Sequence, residues 1–359
     1  MNPSLSQLQE KLHHLNLDAL FISDQYNVSY LSLFTGLSPN EKEGFLFITK
    51  NKIFLLTFST YYGLFRQRDD LHCLCITPQT RLSHHLDKIC RQEEIKRIGF
   101  EKTNLTVSEL ESLEKKVKAN WIPTLGIVEK LRQIKSSKEL QKIKKAATIT
   151  DEAFKFVKSK IKKGISEKEL ALEIELFLKR RAGDVAFPPI VAFNDHSSIP
   201  HYIPSTNYKL QTNSLILLDF GAKVDGYCAD MTRVIFYGKP KNEYLNIYNV
   251  VKDTQQKALN SLKPGIKAEM PDKIAKKNIR KHGYPEYLHG LGHGVGLAIH
   301  EDPRLKIGNN DLLKSGMVVT VEPGIYIDNL CGVRIEDLVV LNKTGIEILS
   351  KSTKEIIII

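Results

Sequence analysis

Apolar positions in the first third of the chain switch between helical and strand spacing. "SQLQEKLHHL" repeats leucine at a helical interval and leads into "DALFIS", a short apolar run that reads as a strand, with "NVSYLSLFTG" after it. "GFLFIT" and "KIFLLTF", divided by little more than "KNK", read as a hairpin, and "RIGFE" as a further strand. "TVSELESLEKKVK" predicts a helix capped by Thr106 or Ser108, whose hydroxyls can take up free N–H groups of the first turn. Strands alternating with helices imply a helix-covered sheet, a small α/β domain over residues 1–125. Pro123 and Gly126 in "ANWIPTLG" interrupt the periodicity, so a boundary is expected there, with a second domain over residues 126–359.

Two helices open the second domain, at about 137–162 and 167–182, parted by Gly164. Ser166 with Glu169 three places on is a capping-box signature. From residue 185 the pattern becomes strands, turns and glycine-rich loops. Helical "EYLNIYNVVKDTQQKALNSL" and the shorter "PDKIAKKNIRKHG" interrupt it. No run approaches the ~18 apolar residues of a membrane span, and the opening "MNPSLSQLQEKLHHLN" lacks the pattern of a secretory signal.

Composition adds a charge question. The net charge is +11, and the excess concentrates in residues 126–182, with 16 basic against 8 acidic residues. Leu140, Ile143, Ala147, Phe154, Val157 and Ile161 recur there at helical spacing, so the lysines read as the solvated face of amphipathic helices. No nucleic-acid or membrane partner is therefore expected. Five cysteines (Cys73, Cys75, Cys90, Cys228, Cys331) are odd in number and scattered, which suits reduced thiols in the cytoplasm.

The chemistry lies in the second domain. "SLILLDFGAKVDGYCADMTRVIFYG" reads as two strands around Asp225-Gly226, a strong hairpin turn. Centred there, Asp219 faces Thr232, and Asp230 shares its face on the diagonal, about 7–8 Å away at the backbone. Two carboxylates so placed repel each other unless a cation sits between them. "MVVTVEPGIYIDNLCGVRIEDLVVL" reads as a second hairpin, and a turn near Asn329 sets Glu322 across from Glu336. Asp337 alternates to the other face, where solvent or a surface partner is expected. Oxygen-rich donors with an imidazole suit Mn²⁺, Co²⁺ or Zn²⁺, and two such ions can share and acidify a water.

Between the hairpins lies "HGLGHGVGLAIHE", with His289, His293 and His300 among Gly290, Gly292, Gly294 and Gly296. Each glycine costs a helix interior about 1 kcal/mol, so His289 and His293 are not read as a helical zinc pair. A glycine-rich strand instead lets backbone approach a site closely, with one histidine on metal and another on substrate.

Together "DFGAKVDGYCADMTR", "GLGHGVGLAIHE", "VEPGIY" and "GVRIED" resemble the pita-bread (M24-type) metallopeptidases, the group of aminopeptidase P, prolidase and methionine aminopeptidase. "NVSYLSLFTG" resembles the creatinase-like amino-terminal domain of the aminopeptidase P and prolidase branch. The resemblance implies an α/β (α+β) pita-bread catalytic domain with pseudo-twofold halves, preceded by that smaller domain. It implies metal ligands at Asp219, Asp230, His293, Glu322 and Glu336, with Asp230 and Glu336 bridging two divalent ions, Mn²⁺ before Co²⁺ or Zn²⁺. It also implies catalytic histidines at His201, in "SSIPHY", and His300, with His289 near the site. Arg334 is expected to orient Glu336. "AFNDHSS" departs from the family's small-residue segment, leaving His196 as a loop residue or an added substrate contact.

The expected reaction is hydrolysis of the amino-terminal Xaa-Pro bond of peptides by a metal-acidified water. Glu322 would shuttle its proton to the leaving nitrogen, and His201 and His300 would donate hydrogen bonds to the oxyanion. Xaa-Pro aminopeptidase activity is the first expectation and Xaa-Pro dipeptidase (prolidase) activity the alternative. The dipeptidase must hold a free carboxylate, for which Arg304 is one clamp; a surface arginine is the simpler reading. A non-catalytic pita-bread binding protein is a third reading, opposed by the presence of all five ligand types. The family resemblance further implies a homodimer.

Overall fold

The apolar runs of the first third pair into one mixed sheet. Its strands are β1 (Ala19–Ile22), β2 (Gly44–Thr49), β3 (Ile53–Phe58), β4 (His72–Ile76), β5 (Arg97–Glu101) and β6 (Asn120–Thr124), in the order β4-β3-β2-β1-β5-β6. The computed structural model describes residues 3–38 and 40–359, and the chain divides into two units, Met1–Arg132 and Gln133–Ile359. In the first unit β1 and β2 are buried along their whole length, which explains their unbroken apolar runs. Phe21, Phe47 and Ile98 form one core with Leu86 and Ile89 of a helix at Leu82–Gln92.

β6 occupies the segment that reads from sequence as an interruption. Pro123 is tolerated because β6 is the outermost strand, where a missing N–H breaks no ladder. The expected boundary after residue 125 lies ahead of the observed division. Beyond β6 the chain stays tied to the first unit: Asn27 Nδ2 donates to Glu129 Oε1 at 2.9 Å, and Arg132 Nη1 donates to Asn27 Oδ1 at 2.9 Å.

The second unit opens with α1 (Ser137–Lys158) and α2 (Glu167–Ala182), each begun by a complete capping box, Ser136 with Glu139 and Ser166 with Glu169. The first of these helices stops before the expected residue 162, ahead of the left-handed Gly164 (φ 85°). Then come β7 (Asp184–Val185), β8 (Ile190–Phe193), β9 (Ser214–Phe220), β10 (Ala222–Val224), β11 (Tyr227–Cys228) and β12 (Met231–Tyr237). α3 (Asn242–Ser261) and α4 (Glu269–Lys281) lead to β13 (Gly292–Gly294), β14 (Glu301–Leu305), β15 (Val318–Val321), β16 (Gly324–Ile327), β17 (Cys331–Arg334), β18 (Asp337–Leu341) and β19 (Ile346–Ile348). Two helix pairs and two groups of antiparallel strands give this unit the two α/β halves expected of it. Val234, Tyr248, Ile279, Val319 and Val339 lie in a single core. Among the described residues no helix is long and apolar enough to cross a membrane.

Both hairpin registers follow the expectation. Asp225 (φ 48°) and Gly226 (φ 84°) turn the first, and Thr232 faces Asp219. In the second, Val321 faces Asp337 on one ladder and Gly324 faces Arg334 on the next, so Glu322 and Glu336 lie opposite each other between the two. Asn329 turns this hairpin with φ 59°.

The glycines of "HGLGHGVG" now have a steric reason. β13 runs between β14 and β15 so tightly that a Cβ on Gly292 would lie 2.0 Å from the Thr320 carbonyl oxygen. One on Gly294 would lie 2.3 Å from that of Asp302.

Gly292→Ala is expected to lower the melting temperature by several degrees, since backbone must move, at a cost of about 1–3 kcal/mol. Gly63→Ala is the contrast: its helix, Ser59–Phe65, leaves the new methyl in open space. It is expected to be neutral or stabilising by up to ~1 kcal/mol. Equal melting temperatures for the two variants would contradict the packing argument.

Candidate metal centre

The five side chains expected to bind metal stand at five different places on or beside the strands. Asp219 stands near the end of β9, and Asp230 just before β12. His293 is the middle residue of β13, Glu322 follows β15, and Glu336 links β17 to β18. Asp230, His293 and Glu336 each offer a donor atom within 4.8 Å of the other two, and all three are buried. Glu322 joins them through His293, whose Nε2 lies 3.2 Å from Glu322 Oε1 and 3.7 Å from Asp230 Oδ2. Asp219 is held alongside by Arg334, with Nη2 to Oδ2 at 2.6 Å.

The ring orientation of His293 follows from backbone. Its Nδ1 lies 3.1 Å from the Gly294 carbonyl, which can only accept, so Nδ1 carries a proton and Nε2 is the atom facing the carboxylates. There Nε2 can hydrogen-bond Glu322 or give its lone pair to a cation. Thr320 fixes both neighbours: His293 N–H donates to its Oγ1 at 3.0 Å, and that hydroxyl donates to Glu322 Oε1 at 3.0 Å.

Thr232 and Arg334 set the other side. The Thr232 hydroxyl donates to Glu336 Oε2 at 2.6 Å and accepts from Arg334 Nε at 3.0 Å. Arg334 Nη1 donates to Tyr326 Oη at 2.9 Å, and that hydroxyl lies 3.1 Å from His289 Nε2. His289 Nδ1 lies 2.7 Å from the Gly290 carbonyl and so carries its proton, leaving Nε2 to accept from Tyr326. Arg334 therefore orients Asp219 directly, and reaches Glu336 through Thr232.

Crowding is visible in the protonation equilibria. Burial, then the charges of Glu336, Asp219 and Glu322, push Asp230 well above the carboxylate range. Glu336 is pushed up in the same way, by burial and by Glu322 and Asp219. Burial also raises Asp219, though Arg334 opposes it. Glu322 goes the other way: burial acts to raise it, but His293, His289 and Arg334 hold it down at about 2. Asp219 Oδ1, Asp230 Oδ1 and Glu336 Oε1 are buried without any hydrogen-bond partner. Crowded carboxyl groups with unpaired oxygens, beside one imidazole, are a donor set that hard or borderline divalent cations bind, so the residues fit metal.

The expected histidines stand around this cluster. The His300 ring centroid is 4.4 Å from that of His293, edge to face. Desolvation, then the positive charges of His293 and Arg304, lower His300 to about 4. His201 is exposed on its loop, and its charge acts on both Asp219 and His300. His196 turns to other partners: its Nδ1 is 3.0 Å from Glu167 Oε1, and its ring packs between Tyr202 and Tyr208.

Asp337 is a correction. Alternation does send it to the opposite face, but that face is core. Asp337 is fully buried and pairs with Arg233 Nη2 at 2.7 Å and Lys354 Nζ at 2.5 Å, with Gln255 Nε2 at 2.8 Å. The residues that the pattern did not single out for the centre are Thr232, Thr320 and Tyr326. Thr232 was visible only as the register partner of Asp219, and Tyr326 only as the last letter of "VEPGIY".

Comparison with known proteins adds the following. Residues 141–343 match Metallopeptidase family M24, and residues 5–134 match the Creatinase/Prolidase N-terminal domain. A protein of Pyrococcus horikoshii named Xaa-Pro dipeptidase is 34% identical over 360 residues, covering 99% of both chains. A solved structure described as an Xaa-Pro dipeptidase from Bacillus anthracis is similar with a TM-score of 0.94 at 33% identity, covering 100% of both chains. One described as an X-Pro aminopeptidase from Thermotoga maritima has a TM-score of 0.87 at 31% identity, covering 97% of this chain and 100% of that one.

A divalent cation is expected to raise the melting temperature of the metal-free protein, by the equivalent of about 2.7 kcal/mol at a hundredfold excess over its Kd. Glu336→Gln should stabilise the metal-free protein while abolishing most of that response. Because Asp230 and Glu336 have raised folded values, their contribution is complete below the ordinary carboxylate range and is lost as pH rises through those values. The metal-free protein should thus lose stability with rising pH while the benefit of added Mn²⁺ grows. Calorimetric scans at several pH values, with and without Mn²⁺, check both trends.

Proposed function

The chain belongs to metallopeptidase family M24, in its aminopeptidase P and prolidase branch, and on that basis we propose that it hydrolyses Xaa-Pro dipeptides. In this reading Asp219, Asp230, His293, Glu322 and Glu336 would hold two divalent ions. Mn²⁺ is the first choice for so oxygen-rich a set, ahead of Co²⁺ and Zn²⁺. The ions supply Lewis acidity, which acidifies water and polarises the scissile carbonyl.

The chain's own groups do the rest. Glu322 takes the proton of the attacking water and delivers it to the prolyl nitrogen. That nitrogen carries no hydrogen in the peptide, so it must be protonated in order to leave. His201 and His300 donate hydrogen bonds to the oxygen on which negative charge develops. His300 is suited to this as a neutral ring, since desolvation and neighbouring positive charge hold it at about 4. Thr320 and His293 keep Glu322 aimed, and Arg334 keeps Asp219 and Thr232 in place.

The dipeptide reading displaces the first expectation of aminopeptidase activity. Arg304 carries it. This residue is half-buried on β14, next to the strand of His293, and its charge reaches His300. A guanidinium there would hold the free carboxylate of a two-residue substrate. The dipeptidase names of the Pyrococcus and Bacillus anthracis relatives support the same choice. Longer peptides carry no carboxylate at that point and gain nothing from the clamp; the Thermotoga relative keeps them in the test. Five unbridged cysteines support the cytoplasm as the compartment.

Glu322→Gln is expected to cut kcat by at least a hundredfold with metal content retained, read by metal analysis beside single-turnover rates; near-normal turnover would refute the shuttle. On Xaa-Pro dipeptides against Xaa-Pro-Xaa tripeptides, the wild type should prefer dipeptides. Arg304→Ala should raise KM for dipeptides about tenfold or more while sparing tripeptides. Cleavage of tripeptides alone would restore the aminopeptidase reading.

A further inference from the structure

Glu167 is fully buried at the start of α2, and none of its hydrogen-bond donors among the described residues is an expected metal ligand. Among the described residues its four donors all come from one stretch, residues 193–205. Oε1 accepts from Phe193 N–H at 2.8 Å and from His196 Nδ1–H at 3.0 Å. Oε2 accepts from the Tyr202 hydroxyl at 2.9 Å and from Ser205 N–H at 3.1 Å. Each carboxylate oxygen thus takes one backbone and one side-chain donor, the arrangement that best offsets the cost of burying an anion.

The stretch so gathered carries His201. It is fastened elsewhere as well. Gly332 N–H donates to Ser197 Oγ at 2.7 Å, and Asn194 Oδ1 accepts from Leu215 N–H at 2.9 Å. His196 is clamped between the rings of Tyr202 and Tyr208, at centroid distances of 4.6 and 4.0 Å, and Tyr208 donates to Asp195 Oδ1 at 2.9 Å. Within this fixed frame the His201 side chain is exposed. Burial and the Glu167 charge raise Tyr202, so its hydroxyl stays protonated and able to donate.

We propose that Glu167 is a positioning residue for the reaction: through Tyr202 and His196 it fixes the loop that presents His201. The proposal rests on the reading of His201 given above as an oxyanion donor. It assigns His196 a role in the loop's anchorage in place of a substrate contact. The physical logic is preorganisation. A donor on a loose loop must be ordered during the reaction, whereas a loop bound at both ends has its entropy cost met on folding.

The test is a double-mutant cycle between the anchor and His201. Tyr202→Phe removes one hydroxyl and keeps the ring against His196; Glu167→Gln also turns an amide N–H toward a backbone N–H. Tyr202→Phe is expected to lower kcat about threefold to tenfold, and Glu167→Gln more, with KM and Mn²⁺ affinity by calorimetry near wild type. In a His201→Ala background neither substitution should lower kcat further. A purely structural role gives losses that add in full to that of His201→Ala, and this would overturn the proposal, as would unchanged kcat in Tyr202→Phe. Should His201→Ala alone leave kcat intact, the oxyanion reading falls, and the positioning proposal with it, distinctly from the metal-ligand assignment. Tyr202→Phe keeps the test decisive if Glu167→Gln does not fold.

Discussion

Like charge held out of water is the constraint on which the second unit is organised. Asp219, Asp230 and Glu336 are buried where the charge of Asp219 acts on the other two, and each keeps one oxygen without a partner. Repulsion of this kind grows as the local dielectric falls, and without compensation it drives carboxylates to protonate. Arg334 supplies one compensating charge, on Asp219. Divalent cations are the remaining remedy that the donor set accommodates. The crowding that strains the metal-free protein is therefore the source of its affinity for metal.

Holding such groups in place falls to the strands and to a second layer of polar contacts. Thr232 serves two masters, donating to Glu336 and accepting from Arg334, and Thr320 does the same between His293 and Glu322. Tyr326 links Arg334 to His289. Behind this layer, Arg233 and Asp337 occupy the opposite faces of the same strands and form a fully buried ion pair, with Lys354 and Gln255 completing it. Arg233 Nη1 also donates to the backbone carbonyls of Thr232 and Glu336. The strand segments bearing Thr232 and Glu336 are thus locked together from behind. A buried pair of this sort is costly to break by removing one partner, which suits a part that must not shift.

Much of this was legible from periodicity. Capping boxes at Ser136 and Ser166, the hairpin at Asp225-Gly226 and the register of Asp219 on Thr232 are local matters, decided by residues close in sequence. β6 was not legible, because a proline inside a strand is acceptable only at a sheet edge, and edge position is a property of the whole sheet. Asp337 was half legible. Alternation gave its face, but whether that face met water or core depended on α3 and the carboxyl-terminal segment packing over it.

By itself the sequence determined which residue types could do the chemistry, and on which side of each strand they stand, since a pleat of period two and a tight turn leave a side chain only two directions. Tertiary structure alone decided that carboxylates from two hairpins and an imidazole from a glycine-rich strand meet around one point, and that Arg304 and His300 stand near enough to feel each other's charge. It also decided that Glu167, an ordinary helix-start residue by its sequence, gathers the loop of His201. Such meetings depend on how strands far apart in the chain stack and close, and no local spacing carries that information: it comes from burying the apolar faces of all of them at once.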